Sequence, residues 1–108
     1  MRNISREVKR ALNEDSTNYY IVSYEVVNGR KDNQPSQWFG PYNKWDLDKR
    51  AEVIKRGLTD MINGDSYGPP DETIGFSLSY ISEDELADIL GYSPEYLANT
   101  ASSISSFE

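Results

Sequence analysis

The apolar residues of this 108-residue chain switch repeatedly between two spacings, and that switching restricts it to a mixed fold. Between Asn18 and Asn28 they alternate. Tyr20, Val22, Tyr24 and Val26 fall on one side of an extended segment and Tyr19, Ile21, Ser23 and Glu25 on the other, in a stretch rich in β-branched and aromatic residues. From Trp45 the spacing lengthens to three or four through Leu47, Ala51, Ile54, Leu58 and Met61 or Ile62, until Asn63–Gly64 supplies a left-handed stop. Over residues 73–80 alternation returns. Ile74, Phe76, Leu78 and Tyr80 oppose Thr73, Gly75, Ser77 and Ser79, so this strand is expected to bury one face and leave the other wet or lightly covered.

Shorter signals complete the order. Ile4, Val8, Ala11 and Leu12 predict an amphipathic helix over about 3–13, with Arg2, Arg6, Lys9 and Arg10 on its outer side. The turn-rich segment NGRKDNQPS predicts a hairpin with a polar, partly basic tip, returned by a short strand QWF that Gly40–Pro41 closes. After residue 80, Ser82 is placed as an N-cap with Glu85 as its capping-box partner, and Ile81 and Leu86 as a hydrophobic staple. Gly91 ends that helix, and Ser93 with Pro94 starts another, with Tyr92 and Leu97 as a second staple and Leu97, Ala101 and Ile104 as the inner stripe. The order α-β-β-α-β-α-α reads as a single α+β domain. Its small antiparallel three-stranded sheet is backed by one long helix over 46–62, and a helical pair follows at 82–104.

Composition narrows the chemistry. There is no cysteine, which excludes disulfides and thiolate nucleophiles, and no histidine, which removes the commonest general base and metal ligand. Asp60, Asp65 and Asp71 do not follow calcium-loop spacing, and no phosphate-binding loop motif occurs. The chain therefore reads as non-enzymatic, with no cofactor or metal. It lacks an apolar run long enough for a membrane span, and MRNISREVKR lacks a signal peptide's apolar stretch, so a cytoplasmic location is expected.

The net charge of −7 conceals a division. Residues 1–56 hold all eleven bases against eight acids, whereas residues 57–108 hold ten acids and no base. Such asymmetry between halves is a cue to charged partners.

The string around Ala87, Leu90, Gly91, Tyr92, Ser93, Tyr96 and Leu97 resembles the helix-turn-helix of AraC-like bacterial regulators. Physically it specifies a corner: Ala87 permits close helix crossing and Gly91 the left-handed turn. The resemblance implies that the second helix would read DNA, yet Ser93, Pro94, Glu95, Tyr96 and Asn99 offer no cation to phosphate, and Glu83, Asp84, Glu85 and Asp88 precede them. This surface would suit a basic partner. Part of the acid is good helix chemistry, since Glu83, Asp84 and Glu85 occupy a first turn. In size, acidity and lack of catalytic groups the chain also resembles the small acidic counter-defence proteins of phages, including anti-CRISPR proteins and DNA mimics. That resemblance implies an inhibitor acting in a host cytoplasm.

Two surfaces follow as candidates. One, for a basic protein or nucleoprotein complex, comprises Asp71, Glu72, Glu83, Asp84, Glu85, Asp88 and Glu95, with Tyr42 as the exposed member of the aromatic run WFGPYNKW; Trp38 or Phe39 and Trp45 are expected to seal the core. The alternative is a nucleic-acid-binding regulator in which Arg2, Arg6, Lys9, Arg10, Arg30 and Lys31 contact phosphate. A structural adaptor whose acid serves solubility is the third reading.

Overall fold

The computed structural model describes residues 17–64 and 74–103. Its organising element is β1 (Tyr19–Val27), whose Tyr20, Ile21 and Val22 are wholly buried because both faces of the strand are covered. β1 leads through Asn28 (φ 52°) and Gly29 (φ 80°) into the two-residue strand β2 (Arg30–Lys31). Val27 pairs with Arg30, so these two positive-φ residues form the turn of a tight hairpin that matches the sheet's twist. The chain then re-enters the same side of β1 as β3 (Gln37–Tyr42), where Trp38 lies opposite Val22, Phe39 opposite Ile21 and Tyr42 opposite Tyr19. On the other side β4 (Ile74–Ser82) runs antiparallel along the whole of β1, from Tyr19 opposite Ser82 to Val27 opposite Ile74.

Among the described residues the sheet thus has four strands in three ranks, with β2 and β3 end to end beside β1. Four strands rather than three arise because residues 32–36 loop out before β3 re-pairs. β3 also continues through Gly40–Pro41, where the sequence suggests that it stops. It passes them with a register shift and a cis peptide bond. Gly40 has φ 148°, and a Cβ there would stand 2.8 Å from the Tyr20 ring and 3.0 Å from the Tyr19 carbonyl oxygen. Only glycine fits this close approach.

Each face of the sheet carries a helical layer. The long helix α1 (Leu47–Gly64) packs Leu47, Ile54 and Leu58 onto Ile21 and Phe39, with Tyr19, Tyr42, Ala51, Phe76 and Leu78 at the margin. It includes Asn63 and Gly64, the residues expected to stop it. A 3-10 turn (Lys44–Asp46) leads into it, because the Asn43 side chain accepts the N–H groups of Trp45 and Asp46 at 3.0 and 3.2 Å. That cap turns Trp45 outward, to 70% exposure, and gives the buried position to Leu47. Trp45 is therefore not part of the core, and Tyr42 is half-buried rather than exposed. Of the alternatives Trp38 or Phe39, it is Phe39 that is fully buried, while Trp38 is half-buried on the other face.

On the opposite face α2 (Glu83–Leu90) and α3 (Pro94–Thr100) press Leu86 and Leu97 onto Tyr20 and Val22, with Trp38, Ile81 and Ala101 alongside. This end of the second sheet face is therefore covered, which the alternation in β4 alone does not reveal. The corner forms as its residues dictate. Ser82 Oγ accepts the Glu85 N–H at 3.4 Å, Ser93 Oγ accepts the Tyr96 N–H at 3.1 Å, and Gly91, left-handed at φ 71°, donates its N–H to Ala87. Trp38 Nε1 donates to the Leu97 carbonyl at 3.0 Å, and the Ser102 N–H donates to the Trp38 carbonyl at 2.8 Å, so the end of the helical pair is tied back to β3. The helix expected at about 3–13, and Ile104, lie outside the described residues.

Candidate interaction surface

The helical pair places its acids by the same rule that buries its leucines. On α2 the residues toward the sheet are Leu86, with Ala87 and Leu90 half-buried, so Asp84, Glu85 and Asp88 fall on the outward side and are exposed. Glu95, in the first turn of α3, is also exposed. Neither helix contains a Lys or Arg. The first-turn acids gain from the helix dipole, but Asp88, in the later half of α2 and one turn beyond Asp84, gains nothing from it and adds like-charge repulsion. Capping chemistry explains Glu83, Asp84 and Glu85; it does not explain Asp88.

Glu83 has a local task. It is half-buried, its N–H donates to the Asn18 carbonyl at 2.9 Å, and its Oε2 accepts from Asn18 Nδ2 at 3.3 Å, fastening α2 to the entry of β1. Burial, and then the nearby Glu83 carboxylate, push the Tyr20 hydroxyl above its ordinary pKa. The remaining expected residues are dispersed. Tyr42 lies on the α1 face of the sheet, opposite the helical pair, with the Arg50 guanidinium 5.8 Å from its ring centre. Burial raises its hydroxyl pKa and Arg50 lowers it, with burial prevailing. Asp71 and Glu72 lie outside the described residues, as do Arg2, Arg6, Lys9 and Arg10. Arg30 and Lys31 are exposed at the hairpin tip, where Lys31 Nζ sits 4.4 Å from the centre of the Tyr24 ring.

The structure adds an aromatic row to the acids. Tyr92 and Tyr96 are exposed at 42% and 48%, with ring centres 4.6 Å apart, and Trp38 stands 6.3 Å from Tyr92. Sequence reasoning treats Tyr92 as a staple for Leu97 and misses this row, although the spacing of four between Tyr92 and Tyr96 is its signal. Exposed rings in a segment whose exposed charges are all carboxylates suit guanidinium and ammonium groups, which can stack on the one and pair with the other.

The other helical layer differs. A groove of about 530 Å³ between α1 and β4 is lined by Asp48, Ala51, Glu52, Lys55, Leu78, Ser79 and Tyr80. Both signs of charge meet there. Tyr80 Oη donates to Asp48 Oδ1 at 2.7 Å.

Among the described residues, no group of three or more acidic side chains is arranged to hold a metal ion, and no helix is long and apolar enough to cross a membrane. Compared with protein-family models, curated proteins and solved structures, the chain matches none.

Proposed function

We propose that this protein is a non-catalytic inhibitor whose C-terminal helical pair docks on the basic, nucleic-acid-facing surface of a larger protein or nucleoprotein complex, in the manner of a phage-encoded DNA mimic or anti-CRISPR protein. The observation that carries the reading is the exposure of Asp84, Glu85, Asp88 and Glu95 on two consecutive helices that contain no base. Such a field speeds encounter with a cationic groove, and Tyr92 and Tyr96 give arginine side chains a surface to stack on. The helix-turn-helix corner then serves to present acid to a protein rather than a reading helix to DNA.

The test uses the intact chain as bait in extract from the native cell or its host, at moderate and high salt, followed by titration of whatever protein is recovered. The double substitution Asp84→Lys/Asp88→Lys is expected to weaken that complex by more than about tenfold, close to 1.4 kcal/mol or more, with the melting temperature little changed. Unchanged affinity sinks the proposal. Retention of labelled duplex or single strand on a filter, with affinity falling steeply as salt rises, would instead favour direct nucleic-acid binding.

A further inference from the structure

The two edges of the sheet are treated in opposite ways. On one side the edge is broken into the charged two-residue β2 and the bulged, proline-containing β3, and β3 is further covered by a parallel bridge from Phe39 to Ser102. Short, charged, bulged and covered are the ways proteins prevent an edge from pairing. On the other side β4 is nine residues long, IGFSLSYIS, with no charge and no proline, and among the described residues it pairs only with β1.

The hydrogen-bonding groups that it leaves unpaired among the described residues can be assigned. The Ser23 and Glu25 carbonyls accept from Ser36 and Asp32 on the β2–β3 side, so the intervening β1 residues direct their backbone groups toward β4. Their partners are Ser77 opposite Tyr24, Ser79 opposite Val22 and Ile81 opposite Tyr20. The N–H and C=O groups of Phe76, Leu78 and Tyr80 consequently point outward.

We infer that this edge pairs with β4 of a second copy of the chain, antiparallel about a two-fold axis at Leu78, to form one continuous sheet. The register is self-complementary. Leu78 meets the partner's Leu78 and Phe76 meets the partner's Tyr80 on the α1 face, while Ser77 meets the partner's Ser79 on the other, so large apolar groups oppose one another and hydroxyls do likewise. In that register the outward groups of Phe76, Leu78 and Tyr80 are the ones that bond. The α1 layer agrees in charge. Asp48 is held beside Tyr80, whereas Leu58 and Ile62 stand beside Ile74, so α1 runs antiparallel to β4. The two-fold axis then brings the partner's Lys55 toward Asp48 and Glu52 across the groove those residues line. This inference is independent of the acidic-face proposal, and its substitutions lie on β4 and change no residue of α2 or α3.

Sedimentation equilibrium of the unmodified chain is expected to give twice the 12.3 kDa chain mass, with concentration-dependent protection of the Phe76, Leu78 and Tyr80 amides from hydrogen exchange. The variant Ser77→Lys/Ser79→Lys sets like charges opposite each other at both serine pairs and is expected to be monomeric. Ser77→Lys/Ser79→Glu sets opposite charges there and is expected to remain dimeric, although it carries the same lysine at the edge. A wild-type monomer at millimolar concentration overturns the inference, as does retention of the dimer by both variants. If the first variant fails to fold, amide protection in the wild type decides. Free exchange at every concentration, or protection only when another protein is added, overturns self-pairing.

Discussion

The two helical layers rest on neighbouring residues of one strand and present different chemistry to water. Ile21 turns to α1 and Val22 to the α2–α3 pair, and both are fully buried. Outside, α1 mixes Asp48, Glu52 and Asp60 with Lys49, Lys55 and Arg56, while the pair carries acids alone. The apolar contact made by each layer is of the same kind, so packing onto this sheet does not require unbalanced charge. The acid of the pair is a property of its outer surface, free to be used in binding.

That equivalence on the inside can be broken first. Leu86 and Ile54 are each fully buried, one under each layer, and truncation to alanine should cost about 2–5 kcal/mol in either case. Chemical denaturation of Leu86→Ala and Ile54→Ala reads this directly. The helices of the pair are too short to persist alone, so their order depends on that contact. A cost well below this range for Leu86→Ala only would show that the pair is loosely seated and that the layers are not equivalent.

The sequence made much of this architecture legible, for reasons visible in particular residues. Alternation assigned Tyr20 and Val22 to one face of β1 and Ile21 to the other, and the caps at Ser82, Gly91 and Ser93 are local codes that the backbone obeys. What depends on distant contacts was not legible. Trp45 is exposed because Asn43 caps the turn before α1, a choice that the aromatic run alone does not reveal. The covered end of the second sheet face needs Leu86 and Leu97 to arrive from far along the chain. At the candidate surface, the exposure of Asp84, Glu85 and Asp88 follows from helical spacing around Leu86, but the local use of Glu83 by Asn18 spans 65 positions and has no sequence signature. Tyr42 was separated from the acids by strand register, since it pairs with Tyr19 on the α1 side.

A subtler difference between the layers is that only the helical pair is tied to the sheet by a tryptophan. The Trp38 Nε1–H bond to the Leu97 carbonyl joins positions 59 apart and fixes α3 against β3. Trp38→Phe keeps most of the apolar contact but removes the donor, and should cost about 0.5–1.5 kcal/mol. Hydrogen exchange should then speed up in α2 and α3 while α1 keeps its protection. Equal acceleration in both layers would mean that the bond steadies the whole sheet and does not distinguish its two faces.

The smallest effect at neutral pH belongs to the other layer and emerges only in alkali. Tyr80 is 48% exposed, yet its hydroxyl pKa is pushed from 10 up to about 12, by burial first and then by the hydrogen bond to Asp48 and the charges of Asp48 and Glu52. The carboxylates act in the same direction because they oppose a phenolate at their side. In the unfolded chain this tyrosine loses its proton near pH 10, whereas the folded chain holds it to about pH 12. A folded pKa above the unfolded one means that this stabilisation is fully present below pH 10 and is lost as pH rises toward 12. Tyr80→Phe has no proton to lose there. Its denaturation midpoint should lie slightly below that of the wild type at neutral pH and fall less steeply above pH 10, so that the two curves converge. Parallel curves would show that the contact between β4 and α1 does not depend on this proton, leaving charge distribution as the only electrostatic difference between the layers.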